Sequence, residues 1–162
     1  MKKEEFKKKA STYHKKWQDE RYAYHKAASD IAKTLNIKTS LEAGTRKVTI
    51  CENSDTIDIE SKVNPTYLHD LSILPYPVTK KYDLFVALRV FHHVKADLKE
   101  CFKELERIAD NIIIAVPPKG SNHLKTYRKG VCWSEFTDRP PHIIEHTKTK
   151  TYETIICYWN VR

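Results

Sequence analysis

The pattern that decides the fold lies in the middle of the sequence, where residues 82–116 read YDLFVALRVFHHVKADLKECFKELERIADNIIIAV. The two ends of this stretch are apolar at nearly every position, as strands that are covered on both faces are. Between them, residues 97–110 place their apolar side chains on one face of a helix, and Asp97 followed by Glu100 matches a capping box. A strand, an amphipathic helix and a second strand predict a right-handed crossover between parallel strands.

The segments on either side are also short and strand-like. Before this unit the sequence contains TSLEAG, TIDIE and PTYLHD, which have strand length and many β-branched or aromatic residues. After it, Pro117-Pro118 ends the last strand, and glycines and prolines interrupt residues 119–141, which predicts an irregular loop. HIIEH and TYETIICYWNV then flank TKTK, which predicts a terminal antiparallel hairpin on the edge of the sheet.

The N-terminal segment carries an apolar stripe. Its members recur at steps of three, four or seven, which predicts one amphipathic helix or a broken pair of helices. Aromatic side chains on the stripe favour packing against the rest of the domain, because an isolated helix is only marginally stable. The stripe lapses at Glu20 and Arg21. It consists of Phe6, Ala10, Tyr13, Trp17, Tyr24, Ala28, Ile31 and Leu35.

Length and composition indicate one globular domain. The chain has 162 residues and 19.0 kDa, with 40% hydrophobic and 31% charged residues. We divide it into an N-terminal helical segment (residues 1–38), a core (39–118) and a loop followed by the hairpin (119–162). No segment approaches the roughly 18 apolar residues of a membrane span, and the N-terminus lacks the apolar core of a signal peptide. We therefore expect a cytoplasmic protein that does not enter a membrane.

The net charge of +8 at pH 7 is concentrated at the two ends of the chain. Residues 1–38 and 119–162 have an excess of lysine and arginine, whereas residues 39–118 are slightly acidic. Two interpretations remain open. The N-terminal lysines form a solvated helix face, or the basic ends bind a phosphate-rich partner such as a nucleic acid.

Five segments of the core resemble, in order and spacing, the strand motifs of class I S-adenosylmethionine-dependent methyltransferases. They are SLEAGT, TIDIE, LHDLSILPYP, KYDLFVALRVFHHV and ELERIADNIIIAVP, within residues 39–118. The resemblance implies an α/β fold with a Rossmann-like, mostly parallel sheet, in which the terminal hairpin supplies the antiparallel strands. It also implies that S-adenosylmethionine is the cofactor and that a methyl group is transferred to an acceptor, which the sequence does not identify.

The resemblance further implies a cofactor site at the carboxyl ends of the strands. Gly44 lets the ligand approach the backbone, Asp58 accepts the ribose hydroxyls, and Asp70 with the Leu71 amide reads the adenine. For Asp58 and Asp70 the alternative is that they cap turns. The cofactor-binding positions that match the family are Glu42, Gly44, Thr45, Asp58, Asp70, Leu71, Ala87 and Arg89.

No residue stands out as the general base. The candidates are His92 and His93, because an imidazole titrates near neutral pH, and Tyr13. For the two histidines the alternative is a strand-end histidine whose hydrogen bonds are satisfied. His142 and His146 are four residues apart but have no third ligand, and the four cysteines form no CxxC pair, so we expect no metal site and reduced thiols.

The sequence departs from the family in two ways. Arg46 and Lys47 stand where the family has further glycines, and their side chains would crowd the cofactor path. The connections between the first three strands are too short for the usual helices, so we expect reduced helical cover. Either the N-terminal helix or a second subunit covers the apolar sheet face, and we predict a homodimer. The competing hypothesis is a degenerate, non-catalytic relative that binds a nucleic acid or a protein through its basic ends.

Overall fold

A computed structural model describes residues 1–10, 18–46, 48–121, 127–149 and 152–162. The predicted residues Tyr13, Trp17 and Lys47 lie outside this part of the chain. The strands are β1 (Ser40–Ala43), β2 (Asp55–Asp58), β3 (Tyr67–Leu68), β4 (Leu84–Leu88), β5 (Asn111–Val116), β6 (Ile143–Lys148) and β7 (Glu153–Asn160). The helices are α1 (Lys3–Lys9), α2 (Gln18–Lys33) and α3 (Leu98–Ile108), with short 3-10 helices at Ser61–Val63 and Trp133–Glu135.

The seven strands form one sheet in the order β3-β2-β1-β4-β5-β7-β6. Strands β1 to β5 pair in parallel, whereas β7 pairs antiparallel with both β5 and β6. The predicted Rossmann-like sheet with an antiparallel terminal hairpin is therefore confirmed. The strand order reverses between β1 and β4, which is where open α/β sheets form a ligand crevice beyond the carboxyl ends of their strands.

The predicted crossover from β4 through α3 to β5 is present. The Asp97 carboxylate caps α3 by accepting from the backbone N–H groups of Lys99 at 2.8 Å and Glu100 at 3.2 Å. Every residue of β5 is buried, as the apolar run predicts for a central strand. Pro117 follows β5 directly and ends it. Asp83 accepts from the backbone N–H groups of Lys38 and Thr39, and it thereby joins the start of β4 to the start of β1.

Helices cover both faces of the central strands. On one face, α3 buries Phe102 and Leu105 in a core that includes Phe136 and Trp159. On the other face, α2 packs on the sheet, and its buried side chains are Tyr24, His25, Ala28, Ile31 and Ala32. The N-terminal segment therefore does cover an apolar sheet face. No helix in the described ranges is long and apolar enough to cross a membrane.

The side of the sheet formed by β2 and β3 has little helical cover, as predicted. The described residues between β1 and β2 contain no helix, although parallel neighbours usually need a crossover of a dozen or more residues. The buried Glu42 carboxylate holds this connection, because it accepts from the backbone N–H groups of Ile50 and Cys51 at 2.8–2.9 Å and from the Ser54 hydroxyl at 2.7 Å. In this connection, the hydrogen bonds of one carboxylate fix the backbone that a packed helix would usually fix.

Candidate functional site

The register of the sheet brings three strand ends together. Ala43 at the end of β1 lies beside Ile57 of β2 and Ala87 of β4. The next residues therefore lie side by side along the carboxyl edge of the sheet in the order Asp58, Gly44, Leu88, and the switch point lies between Gly44 and Leu88. This edge is where the sequence places the cofactor.

Gly44 is required by the local backbone. Its φ is +62°, and a Cβ at this position would lie 2.7 Å from Cγ2 of Val90. A side chain here would combine backbone strain with a steric clash. The glycine therefore keeps the turn after β1 close to the segment that follows β4.

Both predicted acidic residues cap turns and also keep an open oxygen. Oδ1 of Asp58 accepts from the Glu60 N–H at 2.9 Å, and Oδ1 of Asp70 accepts from the Ser72 N–H at 2.8 Å. Within the described part of the chain, the second carboxylate oxygen of each residue has no hydrogen-bond partner. The turn-capping interpretation is therefore correct, but it leaves each residue able to accept hydrogen bonds from a ligand.

An ion pair lies beside this crevice. Nη2 of Arg46, in the loop after β1, is 3.3 Å from Oε1 of Glu60, in the loop after β2. Lys62 approaches the same carboxylate, and Lys62 and Arg46 together keep the pKa of Glu60 below its usual range. Exposed ion pairs of this kind contribute little to stability, so the pair is a weak barrier to a ligand.

Glu42 is deeply buried, with 1% of its surface exposed. Its carboxylate binds the loop amides described above, and burial raises its pKa despite these hydrogen bonds. The structure therefore shows a role in holding the connection between β1 and β2, while direct contact with a cofactor stays a prediction. Ala87 is also buried, in the core on the α3 side, and Leu71 is buried beside Asp70.

The carboxyl end of β4 carries an arginine in an unusual backbone conformation. The φ of Arg89 is +62°, a value that non-glycine residues adopt rarely. Its Nη1 donates to the Thr154 hydroxyl at 3.2 Å and to the Glu153 carbonyl at 3.4 Å, both on β7. The predicted cofactor ligand Arg89 thus lies between β4 and the terminal hairpin, on the far side of β4 from Asp58.

His92 is almost completely enclosed, with 3% exposed, and its Nδ1 has no hydrogen-bond partner among the described residues. The interpretation of His92 as a hydrogen-bonded strand-end histidine is therefore wrong. Burial, the neighbouring His93 and the charge of Arg89 lower the pKa of His92 to about 3. Such an imidazole is neutral at pH 7 and accepts protons poorly. His93 is exposed, its ring centroid is 4.2 Å from that of His92, and burial and Arg89 lower its pKa as well.

A cavity opens between α2 and the ends of β1 and β4. It contains about 380 Å³ of empty space, part of it open to solvent, and its lining includes Arg21, Tyr24, Gly44 and Leu88. Sequence reasoning did not identify Arg21 or Tyr24 as site residues. The interruption of the apolar stripe at Arg21 was the signal that could have found this position, because a charged residue on an otherwise buried face needs a polar environment.

The loop after β5 also reaches this region. The backbone N–H of Arg128 donates to the His92 carbonyl at 3.0 Å, and Nη2 of Arg128 donates to the Ala96 carbonyl at 2.9 Å. Described parts of this loop and of α2, whose Arg21 and Tyr24 line the cavity, therefore both lie at the carboxyl end of β4.

No group of three or more potential metal ligands occurs among the residues that the structure covers. His142 instead accepts from the Asn160 N–H at 3.2 Å, and His146 lies 3.1 Å from a carboxylate oxygen of Glu153. All four cysteines are free thiols.

Comparison with solved structures identifies the architecture. Magnesium protoporphyrin IX methyltransferase (ChlM) from Synechocystis PCC 6803, with bound SAH, has a TM-score of 0.59 and 15% identity, and the match covers 90% of this chain and 87% of that one. The methyltransferase domain of bacterial CtHen1 has a TM-score of 0.53 and 12% identity, covering 86% and 98%. The chain has the class I methyltransferase fold.

A third match comes from the complex between the Haloferax volcanii Trm112 methyltransferase activator and its methyltransferase. Its TM-score is 0.59 at 13% identity, and the match covers 89% of this chain and 91% of that one. No protein-family model matches the sequence, and no curated protein is significantly similar to it. The similarity to class I methyltransferases therefore lies in the fold, and the chemistry must be argued from the site.

Proposed function

We propose that the chain is an S-adenosylmethionine-dependent methyltransferase. The observation that carries the proposal is the position of Asp58 and Gly44 next to each other at the switch point of a class I methyltransferase sheet, with one Asp58 oxygen open. The binding of SAH by the Synechocystis enzyme, which has the same fold, supports this choice of ligand.

The described residues suit the parts of this cofactor. The open oxygen of Asp58 would accept from the ribose hydroxyls. Asp70 has an open oxygen, and the adjacent Leu71 N–H donates to no described residue, so the pair offers an acceptor and a donor to the adenine. Gly44 and Thr45 would lie along the methionine moiety, beside Ala87. Glu42 would act indirectly, by holding the loop after β1.

The protein would contribute mainly positioning. When bound, the cofactor supplies a sulfonium methyl group that is already reactive toward a nucleophile. The segments around β4, α2 and Arg128 would hold the acceptor in line and exclude water. His93 is the better placed proton acceptor of the two histidines, because it is exposed, whereas His92 is enclosed and has a pKa of about 3.

Calorimetric titration with S-adenosylmethionine and with SAH tests the proposal. We expect saturable heat from both ligands at one site per chain. No heat from either ligand would exclude an intact cofactor pocket and leave the non-catalytic alternative.

That alternative is a degenerate relative that binds a nucleic acid or a protein partner. The contact between Arg46 and Glu60 favours it, because this pair lies beside the crevice where the family has small residues. The basic N-terminus gives it less support. Lys3 and Lys7 both lie 3.2 Å from Asp19, and Lys9 pairs with Glu5, so part of the positive charge is neutralised internally.

A salt series with DNA and RNA tests this alternative. Binding through the basic ends requires an affinity that falls steeply with ionic strength, since neutralised phosphates release counterions. An affinity independent of salt, or no binding at all, would argue against a nucleic-acid partner.

The cytoplasmic location and the homodimer stay predictions of the sequence.

A further inference from the structure

The carboxyl end of β4 holds a positive charge that no carboxylate side chain neutralises. Arg89 is half-buried, yet it forms no ion pair with any described residue. The residues outside the described ranges include no aspartate or glutamate. Enclosing an unpaired charge is costly, because the lost hydration is not replaced by an opposite charge.

The hydrogen bonds of Arg89 leave most of its donors open. A guanidinium has five N–H donors, and only Nη1 has acceptors in the described structure, both of them uncharged. The centroid of the Tyr152 ring lies 6.0 Å from Cζ of Arg89. Nε and Nη2 thus remain available in the planar arrangement that matches a carboxylate or a phosphate.

The neighbouring side chains of Arg21, His92 and His93 add positive or neutral donors, whereas the buried Glu42 carboxylate lines the adjoining cavity. Nδ1 of the enclosed His92 has no partner among the described residues, which is rare for a buried polar atom. Burial is the main cause of the lowered pKa values of Arg89 and His92, and Arg21 of α2 lies near enough for its charge to lower both further. Among the described residues, no carboxylate contributes to the pKa shifts of Arg89, His92 and His93, although the phenol groups of Tyr24 and Tyr152 raise the pKa of Arg89.

We propose that this cluster, formed by Arg21, Arg89, His92 and His93, binds an oxyanion, a carboxylate or a phosphate, carried by a small-molecule methyl acceptor. Arg89 is the principal contact. The cavity between α2 and the ends of β1 and β4 shares Arg21 with this cluster, and it is open to solvent. The role as acceptor site rests on the proposed methyltransferase function, whereas binding of the anion does not.

Three probes of similar size separate charge from shape: benzoate, phenyl phosphate and benzyl alcohol. Binding is followed by calorimetry and by the NMR signals of the histidine rings. We expect one or both anions to bind and to shift the His92 and His93 signals, and we expect benzyl alcohol to bind at least about tenfold more weakly. The stronger of the two anions then identifies the acceptor group as a carboxylate or a phosphate.

Variants locate the contact. Arg89→Gln should weaken anion binding by at least about tenfold, and Arg89→Lys, which keeps the charge but loses the planar donors, should bind with intermediate affinity. Arg139→Gln is the matched control, because it removes the same charge from an exposed ion pair with Glu106. We expect it to bind the anions like the wild type. If Arg89→Gln does not fold, Arg89→Lys and the comparison of the three probes still test whether Arg89 binds the anion.

Three results would overturn the proposal. They are equal binding of benzyl alcohol and the anions, undiminished anion binding by the Arg89 variants, and a loss of SAH affinity in Arg89→Gln as large as the loss of anion affinity. The last result would assign Arg89 to the carboxylate of the cofactor. Arg89-dependent anion binding without any SAH binding would refute the methyltransferase function and leave the anion site standing.

Discussion

Asp58 is the residue on which cofactor binding depends most. Asp58→Ala should lower SAH affinity by at least about tenfold, because hydrogen bonds to a charged group are worth about 1.5–3 kcal/mol. Stability should change by less than about 1 kcal/mol, since the Asp58 carboxylate accepts only one hydrogen bond from the described chain, from the Glu60 N–H. Calorimetry and urea unfolding measure the two effects.

Asp58→Asn is the control for the turn. Asparagine keeps an oxygen for the Glu60 N–H but loses the negative charge, so it should retain stability and still bind SAH more weakly. If both variants bind SAH as well as the wild type does, the ribose contact is misassigned.

The buried His25 makes stability depend on pH. Burial lowers its pKa from 6.5 to about 4, so between these values the unfolded chain binds a proton that the folded state excludes. Stability is therefore highest above pH 6.5 and falls as the pH decreases, by up to about 1.4 kcal/mol per pH unit. His25→Phe should remove this part of the slope in urea unfolding measured between pH 6.5 and pH 4.5.

His92 contributes a second slope of the same sign, so His25→Phe should reduce the pH dependence without abolishing it. The exposed His146 offers the matched control. If His25→Phe and His146→Phe show the same slope as the wild type, the low pKa of His25 is refuted.

For single residues, the sequence predicts where a side chain lies in the fold better than it predicts the hydrogen bonds and the burial of that side chain. Asp58 lies at the strand end where the motif places it, because side-chain position follows from strand register. The turn hydrogen bonds of Asp58, the enclosure of His92 and the proximity of Arg21 to Arg89 all depend on tertiary packing. A pattern within one segment carries no information about which distant segment covers it.

Among the connecting elements, the loop after β5 depends on Gly130. Its φ is +90°, and a Cβ there would lie 1.9 Å from the Pro118 carbonyl oxygen. Gly130→Ala should therefore destabilise the protein by more than about 3 kcal/mol, since backbone rather than a flexible side chain must move. It should also disturb the contact between Arg128 and His92, which urea unfolding and the NMR signals of His92 would reveal.

Gly120→Ala is the control for Gly130→Ala, because it introduces the backbone strain of a positive φ without the clash of a Cβ with a neighbour. Gly120 has a similar φ of +86°, but nothing lies within 4 Å of the position a Cβ would take. We expect it to cost about 1–2 kcal/mol. Equal losses in the two variants would mean that the approach to Pro118 does not matter.

The elements that the sequence predicts best are those with local signals. The helix α3 has a cap residue, an apolar face and two apolar strands beside it, and all of these lie within residues 82–116. The connection between β1 and β2 has no such signal. Its shortness indicates that a helix is missing, but the buried Glu42 that holds it becomes evident only in three dimensions.

The homodimer is a prediction about the whole molecule. Because α2 already covers one face of the central strands, an interface would have to form elsewhere, and exposed apolar side chains near β2 and β3 are available at Ile59, Leu68 and Ile73. Sedimentation at micromolar concentration should give twice the 19.0 kDa chain mass. A species with the mass of one chain would refute the dimer.

The strand order of the whole sheet could be predicted only through the family resemblance. Ser40–Ala43 pairs with Leu84–Ala87, and no local pattern links segments so far apart in sequence. The antiparallel pairing of β6 with β7 could be predicted from the sequence alone, because these strands are neighbours in the chain.

The helix-free connection between β1 and β2 should make the domain tolerant of insertions. Its anchor points, Ile50 and Cys51, are bonded to Glu42, whereas the turn at Glu52-Asn53 is exposed. Doubling the length of a flexible segment costs only about 0.6 kcal/mol of closure free energy. A peptide tag or a small guest domain spliced between Glu52 and Asn53 should therefore leave the host fold intact. It would lie at the amino edge of the sheet, where Ser54 bonds Ser40, on the opposite edge from the proposed cofactor crevice.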